Sequence, residues 1–326
     1  MNTFRSIFPA GEIQSPRERI DYRSVTGFAG SCFATHIYEK FRYFAFDSWL
    51  NPFGIVFHPF AIENAFTRIS RRVHYSPDEL LERGGIWYSF DHHSGFSALD
   101  GEVLLQRIND SIDRAYSGLQ RTTHLYISLG TAFVYRHLAS GRYVANCHKV
   151  PQREFEKEIT APGAIKESLR RTEQAIHRLN PGIQIILTVS PVRHLRDGMT
   201  ANMRSKAHLI TAVHQYTEES GALYFPSYEI LMDDLRDYRF YEENLTHPAP
   251  AAVDYIFDFL LRSHIDPGAW KTMERVEQIR RDMNHRPVHP DSAAHKRFEA
   301  QLQDKIRKFE EETGISIIRD SGNTGD

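Results

Sequence analysis

Two residues in this chain have the type and setting for acyl chemistry, Ser31 and His247. Ser31 lies between Gly30 and Cys32, where the run Arg23-Ser24-Val25-Thr26-Gly27-Phe28-Ala29 gives way to a helical stretch. A glycine at that turn lets the backbone bend sharply. The free N–H groups of a helix start can stabilise a developing oxyanion. A serine hydroxyl needs a base before it attacks, most often histidine. His247 sits in Asn244-Leu245-Thr246-His247-Pro248, just ahead of a terminal helix, where a side chain reaches across a sheet edge. An imidazole titrating near ~6.5 suits general-base work. Each residue also has a plainer reading: Ser31 as a helix N-cap, His247 as a surface or capping histidine. Cys32 is an alternative nucleophile, because a helix start favours a thiolate.

These residues need a scaffold, and the pattern of elements predicts one. The first strand ends at Ala29 and a helix runs to about Asp47. Asn51-Pro52-Phe53-Gly54 breaks the chain, the apolar run Ile55-Val56-Phe57 follows, and a helix spans about 60–72. Residues 73–97, with Gly84-Gly85 and Asp91-His92-His93, read as a long irregular connection. Apolar residues at helical spacing mark 98–119, and a strand covers 125–129. Residues 133–146 read as a hairpin insertion around Ser140-Gly141. A helix over 164–179 stops at Asn180-Pro181-Gly182. The continuous apolar run 183–189 is a strand covered on both faces. A helix over 202–218, a short strand at Leu223-Tyr224-Phe225 and a closing helix over 248–264 follow. Alternation of this kind predicts a doubly wound, mainly parallel α/β sheet. Residues 269–313 are charged and helix-prone, with breaks at Arg286-Pro287 and His289-Pro290, and read as two helices packed on the main domain or on a partner. The end, from Ser321 to Asp326, reads as a flexible tail.

Composition narrows the function. The chain has 326 residues, with 40 Lys plus Arg against 42 Asp plus Glu and a net charge of −2. That balance argues against bulk nucleic acid or an anionic membrane as the main partner. Phe41-Arg42-Tyr43-Phe44 interleaves aromatic and basic residues, yet helix core plus surface explains it. Two cysteines, Cys32 and Cys147, exclude a disulfide scaffold and fit a reducing compartment. No apolar run is long enough for a membrane span and no signal-like segment stands at the start, so the expected location is cytoplasmic. The 17 histidines invite a metal reading through Asp91, His92, His93, His148 and His194. Adjacent histidines point in different directions, however, and no His-x-x-x-His or Cys-x-x-Cys occurs among them. We therefore expect no metal and no cofactor.

In open α/β sheets ligands bind beyond the carboxyl ends of the strands. That rule selects Ser31, Gly130-Thr131, Ser190-Pro191-Val192-Arg193-His194 and the loop of His247. Arg193 there is suited to clamp a carboxylate, phosphate or sugar, or to pair with a structural acid. His148 and Lys149, after the hairpin, approach the same cleft, while Cys147 reads as structural.

The segment Gly30-Ser31-Cys32-Phe33-Ala34 resembles the signature of the GSCFA family, bacterial proteins related to the SGNH/GDSL hydrolases. Asn51-Pro52-Phe53-Gly54, Ser89-Phe90-Asp91-His92-His93, Gly130-Thr131-Ala132, Ala145-Asn146-Cys147-His148-Lys149, Thr188-Val189-Ser190-Pro191-Val192-Arg193-His194 and Asp237-Tyr238-Arg239-Phe240-Tyr241 also resemble its blocks. They run in order from about residue 24 to 262. The resemblance implies a flavodoxin-like sheet over residues 1–265 and leaves 266–326 as a helical extension. It implies Ser31 as nucleophile, His247 as base, and an oxyanion hole from the Ser31 N–H and Gly54. Two departures stand out. Asn244 occupies the place of an Asp three residues before the histidine, so a backbone carbonyl, Glu242, Glu243 or Asp237 is left to orient His247. Gly130-Thr131-Ala132 replaces a Gly-x-Asn, leaving Thr131, Asn146 or His194 to supply the missing donor.

The expectation is a serine acyl hydrolase or acyltransferase acting on an ester such as an O-acylated sugar or glycan. The alternative is a catalytically degenerate binding module for an acyl or glycan ligand. The C-terminal helices are candidates for a homo-oligomer contact.

Overall fold

The computed structural model describes residues 13–285, 288–289 and 292–317. The expected flexible tail, Ser321 to Asp326, and the Arg286-Pro287 break lie outside these residues.

Five strands make one parallel sheet: β1 (Val25–Gly30), β2 (Asp47–Leu50), β6 (His124–Leu129), β10 (Gln184–Val189) and β11 (Leu223–Tyr224). Their spatial order is β2-β1-β6-β10-β11, the flavodoxin-like arrangement. The pairing sets Gly30 opposite Ser128 and Val25 opposite Asp47, with Thr188 opposite Ser128 on the other side. Chain order reverses between β1 and β6, so the topological switch point lies beyond Gly30 and the end of β6.

Side chains alternate across the central strands. Phe28, Tyr126 and Ile186 face one layer with Phe33, Ile37 and Phe41 of α1 (Cys32–Tyr43) and Ile256 and Leu260 of α7 (Pro250–His264). Ala29, Ile127 and Leu187 face the other layer. That layer comprises α2 (Pro59–Arg71), α3 (Gly101–Arg121), α4 (Pro162–Leu179) and α5 (Met199–Thr217). This double coverage explains why β1, β6 and β10 read as nearly unbroken apolar runs. A one-turn helix α6 (Ser227–Glu229) follows β11 and runs into a π-helical turn, Ile230–Asp234.

Several local expectations are corrected. The first helix does not run to Asp47: it ends at Tyr43, Ala45 takes a left-handed φ of 62°, and residues 47–50 become edge strand β2. Phe44, Phe46, Trp49 and Leu50 suit a continued helix as well as a four-residue strand, so periodicity does not separate the two. The connection 73–97 is not irregular throughout. It carries a small antiparallel sheet of β3 (Leu81–Arg83), β4 (Ile86–Tyr88) and β5 (Ser97–Ala98). Gly84 and Gly85 both take positive φ, the demand of a two-residue hairpin turn. The later hairpin, β7 (Phe133–His137) with β8 (Tyr143–Val144), gains a third strand, β9 (Phe155–Ile159), whose charged sequence hid it. The two small sheets meet through the Ala145 N–H donating to Phe90 O (2.8 Å) and the Arg142–Asp91 ion pair (3.0 Å).

The C-terminal helices α8 (Pro267–Met283) and α9 (Ala293–Thr313) bury Val276, Ile279, Ile306 and Phe309 with Ala45, Ile315 and Ile317. Arg280 fastens them to the main unit, donating to Tyr43 O (3.3 Å) at the end of α1 and to Ile317 O (2.8 Å). Among the described residues no helix is long and apolar enough to cross a membrane.

Candidate active site

Gly30 ends β1 with φ +120°, and a Cβ there would lie 2.1 Å from Ser128 O. Only glycine brings the chain this close to β6, and that approach places Ser31. Ser31 is 2% exposed. Its Oγ lies 2.8 Å from Ser128 Oγ and accepts from the Phe33 N–H (3.2 Å), so it does cap α1. Ser128, which no motif pointed to, is the polar neighbour of the candidate nucleophile. Its carbonyl accepts the Ser31 N–H at 3.0 Å.

His247 occupies a tight turn at the same edge. The Arg193 N–H, beyond β10, donates to Thr246 O (2.9 Å), and the Glu242 N–H donates to His247 O (2.9 Å). The turn thus lies at the carboxyl edge, beside the chain that leaves β10. Among the described residues no hydrogen bond joins Ser31 to His247.

Asn244 organises this turn. Its Oδ1 accepts from the Thr246 N–H (2.8 Å), the His247 N–H (3.0 Å) and the Thr246 hydroxyl (2.7 Å). Its Nδ2 faces Glu242 Oε2 (3.1 Å) and His247 Nδ1 (3.2 Å). Thr246 Oγ1 is closer to His247 Nδ1, at 2.9 Å. With its proton on Asn244 Oδ1, the threonine oxygen presents lone pairs to Nδ1 and suits a proton there, whereas the Asn244 amide N–H can only donate to Nδ1 and suits the other tautomer. Thr246 is therefore an orienting partner that the Asp-or-Asn question concealed.

The expected oxyanion donors are largely occupied. Gly54 N–H closes a turn on Asn51 O (2.8 Å), and Gly130 N–H donates to Phe57 O (2.9 Å). A Cβ on Gly54 would meet His93 Cβ at 2.5 Å, so this glycine is needed for close packing. Thr131 Oγ1 pairs with Ser205 Oγ (3.0 Å) and accepts from the Phe133 N–H (3.1 Å). Asn146 Oδ1 accepts the His148 N–H (2.9 Å), and His148 Nε2 meets His92 O (3.0 Å). His148 also stacks on Tyr88, so this pair braces the small sheets. The Cys32 N–H, first in α1, has no intrahelical acceptor. Burial raises the Cys32 thiol pKa, against the expectation of a lowered one, and burial pushes Cys147 up to about 11.

Arg193 stacks on Tyr241 (4.0 Å) and Tyr238 (5.4 Å), and among the described residues no carboxylate pairs with it. His194 packs against Phe57. Its Nε2 is buried without a partner, and burial, then the Lys206 charge, lower its pKa to about 4.

Lys206 went unnoticed in the sequence. It is 1% exposed, and its Nζ donates to Gly130 O and Ser190 O, both at 2.7 Å. It thereby ties the ends of β6 and β10 together. Burial alone lowers its pKa to about 7. A signal existed: Asn202, Ser205, Lys206, Leu209, Val213 and Tyr216 are the buried face of α5, so this lysine stands on the inward stripe.

The candidate metal ligands disperse into structural roles. Asp91 binds Tyr75 OH (3.0 Å) and Arg142, His92 stacks on Phe53, and His93 packs at Gly54. Among the described residues no three or more His, Cys, Asp or Glu side chains gather in a metal-binding group.

A cavity of about 1290 Å³ forms an open groove along β2, lined among others by Thr35, Trp49, Asn51, Gly54 and Arg107. Neither Ser31 nor His247 lines it, but Asn51 holds Gly30, the residue before Ser31.

These features define a flavodoxin-like α/β protein with a polar cluster at the switch point of its sheet. The chain belongs to the GSCFA family: residues 26–259 match that family, and residues 276–315 match the GSCFA domain protein, C-terminal domain. A comparison with curated proteins found no match.

Proposed function

We propose that this protein is a serine-dependent acyl hydrolase or acyltransferase of the SGNH type, acting on an ester such as an O-acylated glycan. One observation carries the reading: Ser31 stands at the carboxyl end of β1, at the switch point, with the His247 turn tied to the same edge through Arg193. In the reaction Ser31 Oγ bonds to the ester carbon and its proton passes to His247 Nε2. The carbonyl electron pair moves onto oxygen. Collapse of the adduct expels the alcohol, which takes the proton back, and water or a second alcohol reverses the sequence. Thr246 and Asn244 hold the imidazole through a neutral chain, so imidazolium gains less stabilisation than beside a carboxylate. Arg193, which no carboxylate pairs with among the described residues, suits a polar or anionic group on the substrate. Residues 1–265 form the catalytic unit in this reading, and 266–326 extend it.

A second reading is a binding module without turnover. The burial of Ser31 and its pairing with Ser128 favour it. Fluorophosphonate labelling with intact-mass readout separates the two. A hydrolase gives one adduct on the wild type that is lost in Ser31→Ala and His247→Ala. An inert wild type favours the binder.

A further inference from the structure

We propose that the Asn51 side chain is the oxyanion donor of the Ser31 site, supplying its hydrogen bond through Nδ2. The inference rests on Ser31 being the nucleophile and adds a catalytic residue to it.

Asn51 follows β2 directly. Its backbone N–H donates to Phe28 O (2.8 Å), which fixes it alongside β1. Its Oδ1 accepts the Gly30 N–H at 2.7 Å, one residue before Ser31. That bond decides the amide orientation, because only the oxygen can face an N–H donor. Nδ2 is therefore on the other side of the carboxamide, and it is buried with no hydrogen-bond partner among the described residues. A donor in that condition is uncommon in a native fold. Thr35, one helical turn beyond Ser31 on α1, has an Oγ1 in the same condition. Both residues line the groove beside β2. Two unsatisfied polar groups thus stand on the elements next to Ser31, at the exit of β2 and on α1.

Several of the expected donors are already held, leaving the Cys32 N–H and His194 Nε2 in addition to Asn51. The N–H groups of Ser31, Gly54 and Gly130 are held by Ser128 O, Asn51 O and Phe57 O. Thr131 is held by Ser205 and Phe133. Asn51 also has a backbone reason to be Asn: its φ is +37°, near the left-handed region that Asn, Asp and Gly tolerate best. In this assignment an Asn after β2, held on the residue before Ser31, takes the place of the missing Asn after β6.

The test is fluorophosphonate labelling kinetics on the full chain, resolved into the maximal inactivation rate and the half-saturating concentration. Asn51→Asp keeps the acceptor for Gly30 and tolerates the backbone, but removes the donor. Asn51→Gly keeps the backbone and removes both. We expect labelling of wild-type Ser31, with the maximal rate falling roughly 100- to 1,000-fold in Asn51→Asp. The half-saturating concentration and Tm should stay close to wild type. If Asn51→Asp does not fold, Asn51→Gly gives the same readout. A wild-type rate in a folded Asn51 variant overturns this assignment and leaves Ser31 standing. A wild type that never labels overturns the Ser31 reading, and the Asn51 role with it.

Discussion

Lys206 offers the sharpest quantitative check, because its environment is simple. The amine is enclosed, and among the described residues its hydrogen-bond partners are the carbonyls Gly130 O and Ser190 O. A neutral amine has two N–H groups, matched to these two acceptors, so the uncharged form satisfies the site. Burial lowers its pKa from 10.5 to about 7. Between those values the unfolded lysine holds a proton that the folded one has shed. Unfolding then takes up a proton, and stability rises with pH. The slope approaches about 1.4 kcal/mol per pH unit, and the full effect is on the order of 5 kcal/mol at pH 10.5. Lys206→Met removes this titration. It also strands two carbonyls, a pH-independent loss of about 1–3 kcal/mol each. The assay is urea unfolding at pH 6 to 10 for both proteins. The stability difference, wild type minus variant, should be flat below about pH 6.5 and climb by roughly 1 kcal/mol per unit from pH 7.5 to 9.5. Parallel profiles, or a difference that shrinks as pH rises, would refute the reasoning.

Other outcomes follow from the same geometry. His58, His92 and His264 are lowered to about 3 and His194 to about 4, burial being the first cause in each. The unfolded imidazoles protonate first, so stability should fall as pH drops below ~6.5; a Tm independent of pH from 7 to 4.5 sinks this. Gly30→Ala should cost at least about 3 kcal/mol through positive φ and collision with Ser128 O, and a Tm near wild type would contradict it. Thr246→Val should slow fluorophosphonate labelling roughly 10- to 100-fold by releasing the imidazole ring from its orienting partner, with Tm unchanged and rescue by Thr246→Ser. Unaltered labelling would remove Thr246 from the site.

The α/β alternation, the strand ends and the place of Ser31 and His247 are legible in the sequence because apolar periodicity and loop position encode them. Ser31 after an apolar strand and before a helix had few other places to go. Short elements were not legible. The strands of two to five residues at β3, β4, β5, β8 and β9 carry too few alternations to register, and β2 shares its pattern with a helix. Within the site, the sequence alone determined which residues line up at the carboxyl edge. The fold decided which of their hydrogen bonds are already taken. Ser128, Lys206 and Asn51 take their roles only there, since each acts through a partner 97, 76 or 21 positions away in the chain. Hydrogen bonding saturates, so a donor is available to a ligand only when no neighbour uses it. The neighbours are chosen by tertiary packing, not by spacing along the chain.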